Sequence, residues 1–276
     1  MSECYGEYFI YNGDLQPSEL FDNTLVYEGE SVYEVIRMMK GLPVFFRDHI
    51  KRLETSTRVQ NKLMLISAEQ IRKDIIKLSE NEKIKDANLK IIFNYNGFNF
   101  NYLIYFIEPV YPTAEQYRKG VKGILFNAER KDPEAKVINH KLRSEIFHKL
   151  IIESAYEALL VNKNFCITEG SRSNIFFIRE NKIFTAPDNC VLSGITRKHI
   201  LEICEETGLN VEFECVKADK LRDYETVFMS GTSPVVLPFR LIDNTVFNVK
   251  HPYLSMLRNI MFGRMENSIE QFRKGL

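Results

Sequence analysis

The stretch ITEGSRSNIFFI, residues 167–178, runs from an apolar start to an apolar end through a polar middle of Glu169, Gly170, Ser171, Arg172, Ser173 and Asn174. A core strand has no use for that middle, and a solvent loop has no use for the tail. Read with its neighbours, the region EALLVNKNFCITEG and NIFFIRENKIFTAP predicts four short strands with turns between them. Glu169 then lies in an otherwise apolar strand region, where a carboxylate is costly unless a positive group pairs it. Arg172 is the nearest protein cation in sequence. A protonated ring nitrogen of a bound molecule would serve equally well.

Bulk composition narrows the rest. A chain of 276 residues can bury a substantial core as one large domain or two smaller ones. Lys plus Arg, at 37, equals Asp plus Glu, so the zero net charge argues against nucleic acid as a partner. The start, MSECYGEYFIYNGD, lacks a basic segment followed by an apolar core and is not expected to be a signal peptide. No apolar run approaches the roughly 18 residues needed to span a bilayer, so no membrane partner is expected. The five cysteines are odd in number and contain no Cys-x-x-Cys pair, which fits free thiols in a reducing, cytoplasmic setting. His199 and Cys204 are close in sequence, but the expectation is no metal. Twenty Phe and thirteen Tyr fit core and interface packing and are compatible with a homodimer.

Along the chain, EYFIYNGDLQP predicts a hairpin over an Asn-Gly turn, and SVYEVIRMMKGLPVFFRD a second pair of runs about Lys40-Gly41. RDHIKRLETSTRVQNKL predicts a helix with Ile50, Leu53 and Val59 close to helical spacing, and AEQIRKDIIKLSENEKI another whose apolar side carries Ile71, Ile75, Ile76 and Leu78. LKIIFNYNGFNFNYLIYFIEPVYP predicts two strands turning near Asn96-Gly97. A polar seam over residues 108–119, punctuated by Pro109, Pro112 and Gly120, divides the chain into residues 1–113 and 114–276. Beyond it a strand at VKGILFNA, a helix over about Leu142 to Ala155 and the four strands already described are expected. After them come a helix over about Lys198 to Thr207, strands at NVEFECV and TVFMSGT, and a helical tail with Met256, Leu257, Ile260 and Met261 among its apolar positions. The class is α+β, two lobes without a regular βαβ repeat, and no P-loop or Rossmann glycine pattern occurs.

Several residues suit one anionic ring molecule. Gly194 precedes Ile195 and Thr196 at a helix start, where unpaired N–H groups and a hydroxyl favour a phosphate. Thr232, in SGTS, is a second hydroxyl donor, and the Arg52 guanidinium can fork onto phosphate oxygens. Lys136 is a candidate amine nucleophile, with Lys141 as its rival, and His140 would serve if the chemistry needed only a general base. A pyridine phosphate bearing an aldehyde would use Lys136, Glu169, Arg52, Thr196 and Thr232 together.

The blocks VYEVIRMMKGLPVFFRDHIKRL (32–53), AKVIN (135–139), EALLVNKNFCITEGSRSNIFFI (157–178), VLSGITR (191–197) and VFMSGTSPVVLP (227–238) occur in the order found in class IV, or fold-type IV, pyridoxal-5′-phosphate enzymes. The chain resembles that family, which includes branched-chain and D-amino-acid aminotransferases and aminodeoxychorismate lyase. The resemblance implies two α/β lobes, a small N-terminal one and a larger cofactor-binding one, with the site between them. It further implies a homodimer acting on an amino acid and a 2-oxo acid. By resemblance, Lys136 is the Schiff-base lysine and proton shuttle, and Glu169 the partner of the pyridine nitrogen. Arg52, Ile195, Thr196 and Thr232 hold the phosphate, Ser171 and Arg172 adjoin the cofactor, and Tyr33, Asn96 and Ser233 line the substrate side.

This chain departs from the family in two places. It carries EGES at 28–31 where a Gly-Asp-Gly-like turn is common. It has Asn96 where the D-amino-acid branch places a carboxylate-binding arginine; Arg37 and Arg172 are the possible replacements. Elimination of pyruvate, and a non-catalytic cofactor-binding protein, are the alternative activities that the sequence leaves open.

Overall fold

The computed structural model describes residues 2–27, 29–130, 133–137 and 139–275. Glu28 and Ile138, which fall within the quoted EGES and AKVIN blocks, lie outside the described residues. The chain divides into two compact units: Met1–Val110, Ala135–Ile138 and Arg264–Leu276 form the first, Tyr111–Glu134 and Asn139–Gly263 the second.

The turn signals of the first hundred residues are met by one antiparallel sheet. β1 (Tyr8–Tyr11) and β2 (Asp14–Pro17) close over Asn12 and Gly13, whose φ angles of 50° and 90° are the two left-handed conformations such a tight hairpin requires. β3 (Glu30–Met39) turns at Lys40 and Gly41, again both at positive φ, into β4 (Leu42–Pro43). β5 (Ala87–Asn96) and β6 (Asn99–Ile107) pair Asn96 with Asn99 across Gly97. The strand order is β2-β1-β6-β5-β3-β4.

Two helices cover one face. α1 (Phe46–Val59) and α2 (Ala68–Asn81) bury Ile50, Leu53, Ile71, Ile75 and Leu78 against Ile36, Met38, Ile91, Phe93 and Ile104. Ser67 caps α2 by accepting from the Gln70 N–H, at the start that the alternation of charge and Ile predicts. Val59, the last residue of α1, is exposed. The other face packs Phe9, Tyr33, Ile92, Leu103 and Tyr105 on Phe21 and Val26. Tyr33 and Glu34 are consecutive in β3 and so face opposite ways.

The second unit begins with α3 (Ala114–Lys119), a short helix closed by a Thr113–Gln116 capping box inside the expected seam. It continues with β7 (Val121–Asn127), α4 (His140–Ile152), β8 (Glu157–Val161), β9 (Cys166–Gly170), β10 (Asn174–Arg179) and β11 (Lys182–Thr185). α5 (Ile195–Glu206) starts three residues ahead of the expected Lys198. NVEFECV splits into β12 (Val211–Phe213) and β13 (Val216–Lys217). β14 (Thr226–Gly231), β15 (Val235–Ile242), β16 (Thr245–Val246) and α6 (Pro252–Arg273) complete the chain. The sheet order is β12-β11-β10-β14-β15-β7-β8-β9-β13, with β16 on β15. Pro238 stands inside β15, and the ladder shifts register just beyond it between Phe239 and Leu241. Proline cannot donate to a ladder, which is why the sequence gives no strand signal there.

One face of this sheet buries Leu159, Ile167, Ile175, Phe177, Val227, Met229, Leu237 and Phe239. On the other, the rings of Phe176 and Phe228 stack at 4.9 Å, and α5 packs against β14. No helix among the described residues is long and apolar enough to cross a membrane. Phe228→Ala removes a wholly buried ring and is expected to cost about 3–5 kcal/mol, read from the urea midpoint at unchanged m. A loss below about 1 kcal/mol would contradict this packing.

Candidate active site

In the first unit the candidate residues gather along the part of the β3 edge that β4 leaves uncovered. The segment 135–137 lies along it: Val137 bridges Val32 in antiparallel fashion, and the Tyr33 N–H donates to the Lys136 carbonyl at 3.1 Å. The Lys136 N–H donates to Ser56 Oγ at 3.2 Å. With its backbone fixed on both sides, Lys136 holds Nζ 4.8 Å from the centre of the Tyr33 ring.

Ser56 belongs to a stripe of α1 that also carries His49 and Arg52, residues spaced to share one helix face. The stripe meets Glu34, which is wholly buried. Arg52 Nε donates to Glu34 Oε1 at 2.8 Å and Nη2 to Oε2 at 2.7 Å; His49 Nδ1 lies 2.8 Å from Oε2. Two of the Arg52 nitrogens that the sequence offered to a phosphate are thus engaged on a carboxylate. Burial alone would raise the Glu34 carboxyl, but the charge and hydrogen bonds of Arg52, with those of His49, outweigh it and hold it down to about 2. Burial also pushes His49 below its ordinary value, only partly opposed by Glu34. A carboxylate only accepts, so neutral His49 carries its proton on Nδ1.

In the second unit Glu169 is 3% exposed, near the end of β9. Its Oε2 accepts from the Leu192 N–H at 3.1 Å, and its Oε1 lies 3.4 Å from Arg130 Nη1. A protein cation beside it is Arg130; the sequence neighbour Arg172 has its side chain on an exposed turn. Leu192 is held from its other side as well, its carbonyl accepting from Asn174 Nδ2 at 2.9 Å. Two residues on, Gly194 is the N-cap of α5; a Cβ there would lie 2.0 Å from Asn174 Oδ1, so only glycine fits. No side chain caps this helix and its first turn has no acidic residue. Ile195, Thr196 and Arg197 thus present N–H groups that precede the first helical acceptor, a setting that favours an anion. Arg197 secures the approach by donating to Asp188 at 2.5 Å and to the Ala186 carbonyl at 2.8 Å.

The other expected residues are placed as follows. Ser171 donates its hydroxyl to Glu157 at 2.5 Å. Thr232 and Ser233 occupy the turn between β14 and β15. That turn ends on Val235 at φ 55°, a strained conformation for a β-branched residue, and Tyr117 Oη donates to the Pro234 carbonyl at 3.0 Å. Asn96 is exposed at the outer end of β5, next to Phe98, which is fully exposed. Lys141 and His140 are exposed in the first turn of α4, and Arg37 is partly buried on β3.

The family pattern described as "Amino-transferase class IV" matches residues 31–242. The chain belongs to the class IV aminotransferases. With that family it is a pyridoxal-phosphate-dependent transaminase. Among similar proteins, the D-alanine aminotransferase of Bacillus licheniformis is 28% identical over 226 residues, covering 78% of this chain and 80% of that one. The aminodeoxychorismate lyase of Bacillus subtilis (strain 168) is 23% identical, covering 81% and 80%. A branched-chain aminotransferase from Thermoproteus uzoniensis, solved with norvaline, superposes with a TM-score of 0.84 at 21% identity over 96% of this chain and 98% of that one, which gives the aminotransferase its fold, fold-type IV.

Sequence reasoning missed Glu34, His49, Arg130, Glu157 and Asn174. Glu34 was open to the reasoning applied to Glu169, since it shares its strand face with Val32, Ile36 and Met38 of the core. His49 precedes Arg52 by three, a helical-face spacing. Arg130 had no local signal.

The Glu34 cluster makes acid stability testable. The folded carboxyl lies below its ordinary 4.5, so its contribution is present above that value and is lost as pH falls toward about 2; the difference is worth about 3 kcal/mol. His49 acts in the same direction, because the unfolded chain takes up its proton first as pH falls below 6.5. Glu34→Gln should cost about 3–5 kcal/mol at pH 7 and show a flatter decline between pH 5 and 2 in urea titrations. Equal slopes for variant and wild type would overturn the assignment.

Proposed function

We propose that this aminotransferase holds pyridoxal 5′-phosphate through Lys136 at its aldehyde and Glu169 at its ring nitrogen, with Arg52, Ile195, Thr196 and Thr232 at its phosphate. In this reading it moves an amino group between an amino acid and a 2-oxo acid. The observation that carries the reading is Glu169, buried and tied through Leu192 to the segment that opens the uncapped α5. That arrangement suits a molecule with a cationic ring nitrogen at one end and an anionic group at the other, so the residues present fit the cofactor.

When bound, pyridoxal phosphate supplies an aldehyde for an amine and a ring that takes up the electron pair left by a departing proton. Lys136 Nζ, on a backbone fixed by Ser56 and Tyr33, would be freed when the substrate's amine takes its place, and would then take the proton from the substrate's α-carbon and deliver it to the former aldehyde carbon. The Glu169 carboxylate would keep the cofactor's ring nitrogen protonated, since a negative charge in a buried site favours a positive partner. The first-turn N–H groups of α5 and the two threonine hydroxyls orient without joining the chemistry, each charge-assisted bond worth roughly 1.5–3 kcal/mol. Asn96 brings no cation to the substrate side, so a carboxylate there must be gripped by another residue, with Arg37 and Arg172 as the candidates.

A panel of L- and D-amino acids, each offered with a 2-oxo acid acceptor, tests the reading and identifies the donor. Lys136→Ala is expected to lower turnover by at least about 10³-fold and to abolish visible absorbance from the cofactor. Glu169→Gln should keep most cofactor and lose about 10²-fold or more in turnover. Undiminished turnover in either variant would refute that residue's role. Pyruvate formed without any acceptor would replace transamination by elimination, which the likeness to the B. subtilis lyase makes the second reading.

A further inference from the structure

A third buried carboxylate has no place in the chemistry above. Glu157, the first residue of β8, is 3% exposed. Its Oε1 accepts from the Ser171 hydroxyl at 2.5 Å, the Ser171 N–H at 3.1 Å and the Ala158 N–H at 2.8 Å; its Oε2 accepts from the Ser173 hydroxyl at 2.8 Å and the Arg172 N–H at 3.4 Å. Every one of these donors is neutral. A carboxylate buried without a cation is among the costliest groups to keep in a core, and here all three residues of one turn are bonded to it.

That turn joins Glu169 and Gly170 at the end of β9 to Asn174 at the start of β10. It is closed further by the Gly170 N–H on the Ser173 carbonyl at 2.7 Å and by the Ser171 N–H on the Ala158 carbonyl at 2.8 Å. A Cβ on residue 170 would lie 2.1 Å from Ser173 Oγ and 3.1 Å from the Glu157 carboxyl, so the turn closes on Glu157 only with glycine there. The two side chains at its ends hold the same peptide: Glu169 accepts from the Leu192 N–H and Asn174 donates to the Leu192 carbonyl. The separation of those two side chains fixes Leu192, and Leu192 leads into the N-terminus of α5.

We propose that Glu157 is a positioning residue of the cofactor site. By gathering Ser171, Arg172 and Ser173 it sets the spacing of Glu169 and Asn174, and through Leu192 the approach to α5. This rests on the reading that Glu169 and α5 hold the cofactor, but its mechanical part does not depend on any bound molecule.

The test is amide hydrogen exchange on cofactor-free wild type and Glu157→Gln, followed by titration of each with pyridoxal phosphate. Exchange is expected to quicken about tenfold or more at residues 171–173 and at the Leu192 N–H, while Phe176 and Phe228 keep wild-type protection. Cofactor affinity should fall about tenfold in parallel. Should Glu157→Gln fail to fold, the double variant Ser171→Ala with Ser173→Ala, which keeps the carboxylate and removes two donors, must give the same local pattern. Faster exchange confined to the turn with Leu192 unchanged would overturn the proposal, as would a uniform rise across the second unit. Faster exchange at Leu192 with unaltered affinity would uphold the mechanical link and instead refute the assignment of Glu169 and α5 to the cofactor.

Discussion

A carboxylate taken out of water inside a β-sheet has to be answered by donors, and three such groups organise this chain. Glu34, Glu157 and Glu169 are each no more than 3% exposed, and each is answered differently. Glu34 faces a bidentate guanidinium and an imidazole, Glu157 neutral N–H and O–H groups, and Glu169 the Leu192 N–H and, at a longer distance, Arg130. Arg52 and His49 fasten α1 to β3 through Glu34, and Ser56, one turn along the same helix, fastens the Lys136 backbone. Lys136 is therefore positioned by a helix that an ion pair locks to its sheet. Glu157 and Glu169 do the corresponding work around α5.

The division of labour follows from what each type of bond can do. Tight multi-donor sites such as that of Glu157 are rigid, because loss of any donor leaves a buried acceptor unmet. The looser 3.4 Å approach of Arg130 to Glu169 is the kind of contact that can yield to a cation supplied by a ligand. The uncapped start of α5 is its counterpart in sign: a group of donors that no side chain of the helix's own cap satisfies.

Much of this is legible in the sequence alone. The Asn12-Gly13 and Lys40-Gly41 turns could be read because left-handed backbone has few compatible residues. α1 and α2 could be read from the period of their apolar residues. β4, β13 and β16 are two residues long, too short for any period to register. β15 was hidden by Pro238 and its register shift. The first turn of α5 is marked in the sequence by Gly194 but by no capping side chain, the feature that makes this helix end suited to an anion. At the site, residue types were readable and partners were not: Arg172 is near Glu169 in sequence, while Arg130 is near it in space. Side chains that act by holding others, such as Glu157 and Asn174, leave only a weak mark in a single sequence.

Everything proposed for this site depends on which lysine carries the cofactor. Borohydride reduction of the pyridoxal-phosphate-loaded protein, followed by digestion and mass spectrometry of the labelled peptide, answers it directly. The label is expected on Lys136, where the backbone is pinned between Ser56 and Tyr33. A label on Lys141, out on the exposed first turn of α4, would contradict the account at its centre.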